Sequence, residues 1–443
     1  MSGSALFADL YEFAMLRAYF ELGMNAQATF SLFVRKLPPQ RNFLIAAGLD
    51  DLLHEIEHWR FEPHHIDYLG SLKISSQPFL AWLADFRFSG DIYAMREGTP
   101  FFENEPILEV IAPIAEAQLI ETLVLNQIGL QTMLASKAAR VVAAARGASV
   151  VDFGARRAQG MDAAIKGARA FYIAGVESTS NVAAGQAFGL PLAGTMAHSF
   201  VEACASEAYA FQSFSDVFPG TTLLVDTYDT LEGVNKVVAL ARARGPNFNI
   251  RAVRLDSGDL DLLSRQTRRI LDDAGLTDVQ IVASGGLEET RIDALTSRGA
   301  PIDVFGVGTD MAASSDAPNL DIAYKLTEYA GKGRMKLSAG KRSLPGRKQV
   351  FREFRDGVAV RDVIARQGET PPGVPLLQPF MLSGRRVAEQ SCDLPLIRDY
   401  AKEQLAALPP HLRMLQSREA RYEVAISDAL ASYERETRAH LIE

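Results

Sequence analysis

Seven groups in the middle of the chain combine arginine, carboxylate, histidine and glycine in ways suited to handling anions. Each lies at the end of a short apolar run or just beyond it. They are Gly154-Ala155-Arg156-Arg157, Glu177-Ser178-Thr179-Ser180, Thr195-Met196-Ala197-His198-Ser199, Asp226-Thr227, Arg254-Leu255-Asp256-Ser257-Gly258-Asp259, Ser284-Gly285-Gly286 and Gly306-Val307-Gly308-Thr309. The glycines of the last two let backbone N–H groups approach an anion closely, with a helix N-terminus expected behind each. Tight strand-to-helix turns would use the same glycines. Arg156 and Arg157 suit a bidentate clamp on a diphosphate, or a solvated helix start. Arg254 sits inside an apolar run, where burial demands an anionic partner, either Asp256 or a substrate carboxylate. His198 suits a general base, a metal ligand, a phosphoryl acceptor or a hydrogen-bonded structural histidine.

The groups recur because the apolar runs recur. Runs at 149–153, 170–174, 191–197, 222–225, 250–255, 280–283 and 302–305 start 21 to 31 residues apart, each followed by a helix-like segment. Strands apolar throughout that alternate with helices indicate parallel βαβ units buried on both faces. Seven or eight such units predict a (β/α) barrel rather than an open sheet. In a barrel the loops at the strand C-terminal ends converge on one mouth, so the seven groups would face one cavity.

Outside those runs the chain reads differently. Helices are predicted over 6–20, 42–58 and 116–146, and strands over 28–34, 86–94 and 107–114. Beyond about 335 comes a basic stretch (Lys332, Arg334, Lys336, Lys341, Arg342, Arg347, Lys348), then a proline-rich one, then helix to the end. A strand pair over 351–359 would turn at Asp356-Gly357. The expected organisation is an N-terminal α/β domain over 1–120, a catalytic barrel over 121–335, and a C-terminal segment over 336–443 packing back on the N-terminal domain.

Composition narrows the partners. The 443 residues are 48% hydrophobic and 23% charged, enough for an ordinary folded core. A formal net charge of −8 argues against nucleic acid or an anionic membrane as the main partner. Cys204 and Cys392 form no CxxC or ligand cluster, so neither a disulfide scaffold nor a zinc module is expected. The start of the chain has no secretory pattern, and no window holds 18 uncharged apolar residues. A cytoplasmic location is the expectation.

Six of the strand-end groups, all but Glu177-Ser178-Thr179-Ser180, together with Asp9-Leu10-Tyr11, Phe33-Val34-Arg35-Lys36, Asp152-Phe153, Gly194 and Val225-Asp226-Thr227-Tyr228, closely resemble in order the nicotinate phosphoribosyltransferase family. The resemblance runs from about residue 5 to 335. It implies transfer of 5-phosphoribose from 5-phosphoribosyl 1-diphosphate to nicotinate, with ATP hydrolysed alongside and Mg²⁺ required. The implied fold is an irregular type II phosphoribosyltransferase barrel plus an α/β domain built from both chain ends. A homodimer is implied too, with Tyr11 and the 33–36 segment able to complete a partner's site.

By the same resemblance Arg254, Thr195 and Tyr11 bind nicotinate. Gly285, Gly286, Gly306, Gly308 and Thr309 hold the 5′-phosphate, Ser284 belongs to the 5-phosphoribosyl 1-diphosphate site, and Arg156 and Arg157 hold the diphosphate. Asp226 and Asp256 serve the ribose hydroxyls or Mg²⁺, and His198 is phosphorylated by ATP. Rival readings are a nicotinamide phosphoribosyltransferase, a quinolinate phosphoribosyltransferase, a barrel aldolase or isomerase, and a non-catalytic nucleotide sensor. The absence of a carboxylate from 194–201 favours the acid over the amide substrate, and no strand end carries the lysine that a Schiff-base aldolase needs.

Overall fold

The parallel runs of the middle of the chain form one six-stranded sheet in the computed structural model, which describes residues 5–72, 75–338, 343–388, 393–415 and 421–442. Lys341, Arg342 and Cys392 lie outside the described residues. The chain divides into two compact units, one of residues 1–136 with 316–443 and the other of residues 137–315.

The second unit contains the sheet. Its strands are β1 (Ser149–Asp152), β2 (Ser178–Thr179), β3 (Thr222–Leu224), β4 (Ala252–Leu255), β5 (Gln280–Ala283) and β6 (Val304–Val307). All pair in parallel, in the spatial order β2-β1-β6-β5-β4-β3. The first strand therefore lies beside the last, as curling toward a barrel requires, and the result is a curled half-barrel. Val150, Leu223, Val253, Ile281 and Phe305 are all buried, which explains why these strands read as apolar runs rather than as alternating ones.

Two of the seven predicted strands differ. Residues 170–174 finish the helix Met161–Ile173, which is closed at Gly175 (φ +107°), and the strand follows at Ser178–Thr179. An apolar helix tail ending at a glycine has the same local pattern as a short buried strand. The run 191–197 contributes only one bridge, from Leu192 to Thr179. Pro191 can give no ladder hydrogen bond there.

In the first unit an antiparallel sheet of seven strands is built around Gln27–Val34, which pairs with Leu108–Pro113 on one side and Ile322–Tyr329 on the other. The barrel expected over 121–335 therefore ends earlier, because Ile322–Tyr329 belongs to this sheet. Leu377–Leu382, from the C-terminal part, extends the same sheet by pairing with Asp91–Met95. The predicted helix over 42–58 opens instead with strand Leu44–Ile45, paired with Pro100–Phe101, and turns helical at Leu49. The predicted long helix over 116–146 is two helices, Ile114–Leu119 and Glu121–Ala145.

The C-terminal part, predicted to hold a strand pair turning at Asp356-Gly357 and then helix to the end, carries a four-stranded sheet. Its hairpin Lys348–Arg355/Val358–Arg366 turns at Asp356-Gly357, both at positive φ as a type I′ turn requires. Among the described residues no helix is long and apolar enough to cross a membrane.

Candidate active site

Arg254 organises the site. It projects from β4, whose neighbours bury the rest of the strand, and its guanidinium is held on three sides. Nε donates to Ser284 Oγ (2.8 Å), Nη1 to Thr195 Oγ1 (3.1 Å) and Nη2 to Asp256 Oδ1 (2.6 Å). The Phe153 ring lies under it, 5.2 Å from the guanidinium carbon. Asp256 thus supplies the anionic partner that burial requires, and a substrate carboxylate is not needed for that purpose. A guanidinium has five N–H donors, however, so two are left, one on each terminal nitrogen.

Asp256 is the second centre. Its Oδ1 also accepts from the Ser284 hydroxyl at 2.5 Å, while its Oδ2 lies 3.8 Å from His198 Nε2. Burial alone would raise its pKa, but the Ser284 hydrogen bond and the Arg254 charge outweigh that and hold the carboxyl below its ordinary range. Asp226, after β3, receives the Asp256 backbone N–H (3.0 Å) and the Ser257 hydroxyl (2.5 Å) on Oδ2. Its Oδ1 is buried without a hydrogen-bond partner. His198 opens the helix His198–Ala203 and pairs its Nδ1 with Thr227 Oγ1 at 3.1 Å. With Nδ1 engaged, Nε2 is the nitrogen available for chemistry.

The glycine turns share this rim. Strand β5 lies between β4 and β6, and Ser284, the residue after β5, bonds Arg254. On its other side, a Cβ on Gly306 would lie 3.3 Å from Ser284 Cβ. Gly285 has φ +86°, and a Cβ there would fall 1.8 Å from the Asp256 carbonyl oxygen, so only glycine fits. Ser284, expected in the 5-phosphoribosyl 1-diphosphate site, is buried and places its hydroxyl in the Arg254–Asp256 network.

The helix start expected behind Gly285-Gly286 is already occupied. The Glu288 carboxylate caps helix Glu289–Ser297 by accepting from the Thr290 and Arg291 N–H groups. Behind Gly306–Gly308, the short helix Thr309–Ala313 has no side-chain cap.

Arg156 and Arg157 lie exposed in the turn Ala155–Arg157. Gly154, just before them, packs against this same segment: a Cβ there would meet Ala312 Cβ at 2.6 Å and the Gly308 carbonyl at 3.0 Å. Asp152 fixes the turn by accepting from the Gly154 N–H, and burial raises its pKa against that bond and the one from Thr179. A cavity of about 410 Å³ is lined mostly by residues at the starts of the strands, among them Ser149, Thr222, Ala252, Gln280 and Val304, and reaches Phe153 and Thr195.

Tyr11 lies in the other unit, on helix Leu10–Glu21, about half exposed. Burial and the Glu121 charge push its phenol upward. Sequence reasoning gave no role to Phe153, Thr227 or Ser257, although each lies in a segment that the resemblance quotes. No group of three or more His, Cys, Asp or Glu side chains suited to a metal occurs among the described residues.

The curled parallel sheet gathers an arginine–carboxylate network and two glycine turns on one rim, and residues 134–325 match the quinolinate phosphoribosyl transferase C-terminal domain. Residues 6–129 match the nicotinate phosphoribosyltransferase N-terminal domain. The chain is 55% identical to the nicotinate phosphoribosyltransferase pncB2 of Mycobacterium tuberculosis over 96% of its own length and 92% of the relative's. It superposes on the human nicotinic acid phosphoribosyltransferase crystal structure with TM-score 0.86 and 27% identity, covering 97% and 99% of the two chains. A Pyrococcus furiosus nicotinate-nucleotide pyrophosphorylase follows with TM-score 0.74 and 25% identity, over 90% and 94%. The chain belongs to the nicotinate phosphoribosyltransferase family.

Proposed function

We propose that the protein joins nicotinate to 5-phosphoribosyl 1-diphosphate, giving nicotinate mononucleotide and diphosphate for NAD biosynthesis, with ATP hydrolysed alongside. The observation that carries this reading is the Arg254–Thr195–Asp256–Ser284 network on the same rim as the two glycine turns. Arg254 offers its two remaining donors, with Thr195 beside it, to the nicotinate carboxylate. Tyr11 supplies an aromatic face for the pyridine ring. Backbone N–H groups of Gly285, Gly286, Gly306, Gly308 and Thr309 take the 5′-phosphate, and Arg156 and Arg157 the diphosphate.

The chemistry needs little proton transfer. The pyridine nitrogen already has its lone pair, so no base must deprotonate it. The barrier lies in ionising the C1–O bond, with positive charge growing on the ribose. Alignment, carboxylates near the sugar and cations on the departing diphosphate lower that barrier. Asp226 and Asp256 are the carboxylates at hand.

The unpartnered Asp226 Oδ1 also fits Mg²⁺, which binds through one or two carboxylates plus substrate phosphate oxygens. Bound there, the ion would neutralise charge on the leaving diphosphate. His198 Nε2 attacks the ATP γ-phosphorus, ADP leaves, and water later hydrolyses the phosphohistidine. The working form is a homodimer in which Tyr11 and the 33–36 segment complete the partner's site. Mixing Tyr11→Ala with Arg254→Ala subunits should then restore activity, and no recovery in the mixture rules out a shared site.

The direct test supplies purified protein with 5-phosphoribosyl 1-diphosphate, Mg²⁺ and either nicotinate or nicotinamide, with and without ATP. Turnover of nicotinate, stimulated by ATP, is expected. Failure to turn over nicotinate overturns the reading.

A further inference from the structure

Lys137 is an ammonium in the middle of an alanine-rich helix, with 2% of its side chain exposed. An apolar residue would pack there without the cost of removing a charge from water, so the charge needs a reason. Its Nζ lies 2.5 Å from Glu289 Oε2 and 2.6 Å from Asp310 Oδ2. Glu289 is the first residue of the helix that follows the Ser284-Gly285-Gly286 turn. Asp310 directly follows Thr309 at the end of the Gly306–Thr309 turn. One buried cation therefore binds the segments behind both glycine turns. Arg140 donates to the other Glu289 oxygen at 2.9 Å, so the carboxylate is fixed on both sides.

The need for such a tie follows from the sheet. Strands β5 and β6 pair only through Val282–Val304 and Ala283–Phe305. Beyond that point no ladder sets the distance between the two turns. A phosphate that takes N–H groups from both turns needs that distance fixed before it binds. Without the ammonium, Glu289 and Asp310 would carry like charge toward the same point.

We infer that Lys137 is a positioning residue for the phosphoribosyl substrate, locking the two glycine turns at the separation a phosphate requires. The inference rests on the proposed assignment of those turns to the 5′-phosphate. Lys137 touches no substrate in this account; it acts through Glu289 and Asp310.

Lys137→Met and Asp310→Asn test it, with melting curves to verify folding. The KM for 5-phosphoribosyl 1-diphosphate should rise on the order of 10- to 100-fold in Lys137→Met and by a smaller factor in Asp310→Asn. The KM for nicotinate should stay within about twofold. Calorimetric titration with ribose 5-phosphate should show the same weakening without relying on turnover. A folded Lys137→Met protein with unchanged affinity for both phosphorylated ligands overturns the inference, as does an equal rise in both KM values. Where Lys137→Met does not fold, unchanged constants in Asp310→Asn overturn it. Absence of nicotinate turnover in the unmodified protein would instead count against the proposed function, and the ribose 5-phosphate titration would still decide the role of Lys137.

Discussion

Arg254→Lys separates the planar fork from the charge. Three of the five guanidinium donors are committed, to Ser284, Thr195 and Asp256, and two remain for the nicotinate carboxylate. A lysine ammonium keeps the charge but gathers its three donors on one atom. Asp256, already held below its ordinary pKa, will retain one of them. The substrate carboxylate then keeps at most a single contact, and Ser284 and Thr195 lose their donor. Loss of one charge-assisted hydrogen bond costs about 1.5–3 kcal/mol, equivalent to roughly a 10- to 150-fold fall in kcat/KM for nicotinate. The assay is initial rate against nicotinate at saturating 5-phosphoribosyl 1-diphosphate, repeated with the substrates exchanged. The KM for the phosphorylated substrate should hardly move. A fall of less than about threefold, or an equal loss for both substrates, refutes the assignment of Arg254 to the carboxylate.

Three further outcomes are expected. Gly285→Ala places a methyl group 1.8 Å from the Asp256 carbonyl at a φ of +86°, so it should cost more than about 2 kcal/mol of stability; a melting temperature equal to that of the unmodified protein would contradict the close approach. His198→Ala should abolish acid-labile, base-stable ³²P labelling from γ-labelled ATP while leaving ATP-independent turnover measurable, and persistent label would place the phosphohistidine elsewhere.

The third concerns Glu12, whose carboxyl is fully buried with one oxygen lacking a partner; burial pushes its pKa up to about 7. A raised carboxyl pKa means the folded state keeps a proton that the unfolded chain releases. Folding therefore loses stability as pH rises from about 4.3 toward 7 and levels off above that. Glu12→Gln should match the unmodified protein near pH 4 and exceed it in melting temperature at pH 8. An advantage independent of pH would show that Glu12 is not protonated by burial.

The strand-end chemistry was legible because buried parallel strands are apolar along their whole length and stop at polar groups. That pattern marks Arg254, Asp256, Asp226, Ser284 and the Gly306–Thr309 turn as strand-end residues. It misread 170–174, since an apolar helix end before Gly175 is locally indistinguishable from a strand. The expected barrel boundary at 335 also takes in Ile322–Tyr329, because pairing with Gln27–Val34 is a contact across most of the chain that no local pattern reports. The partner of Arg254 stayed open between Asp256 and substrate, as both are anions within reach. Lys137 was invisible: its partner Glu289 is 152 residues away, and an isolated lysine in an alanine-rich helix reads as a surface residue. Glu288 fills the helix start that the glycine turn alone suggests for a phosphate, and a glutamate two residues past a glycine pair does not announce itself as a cap.

A crystal structure with nicotinate mononucleotide bound tests the central claim most directly. The account predicts the pyridine carboxylate on the two spare Arg254 donors beside Thr195, and the phosphate on backbone N–H groups of the Gly285-Gly286 and Gly308-Thr309 turns. A nucleotide lodged away from Arg254, or bound with its phosphate on Arg254 and its carboxylate on the glycine turns, would contradict it.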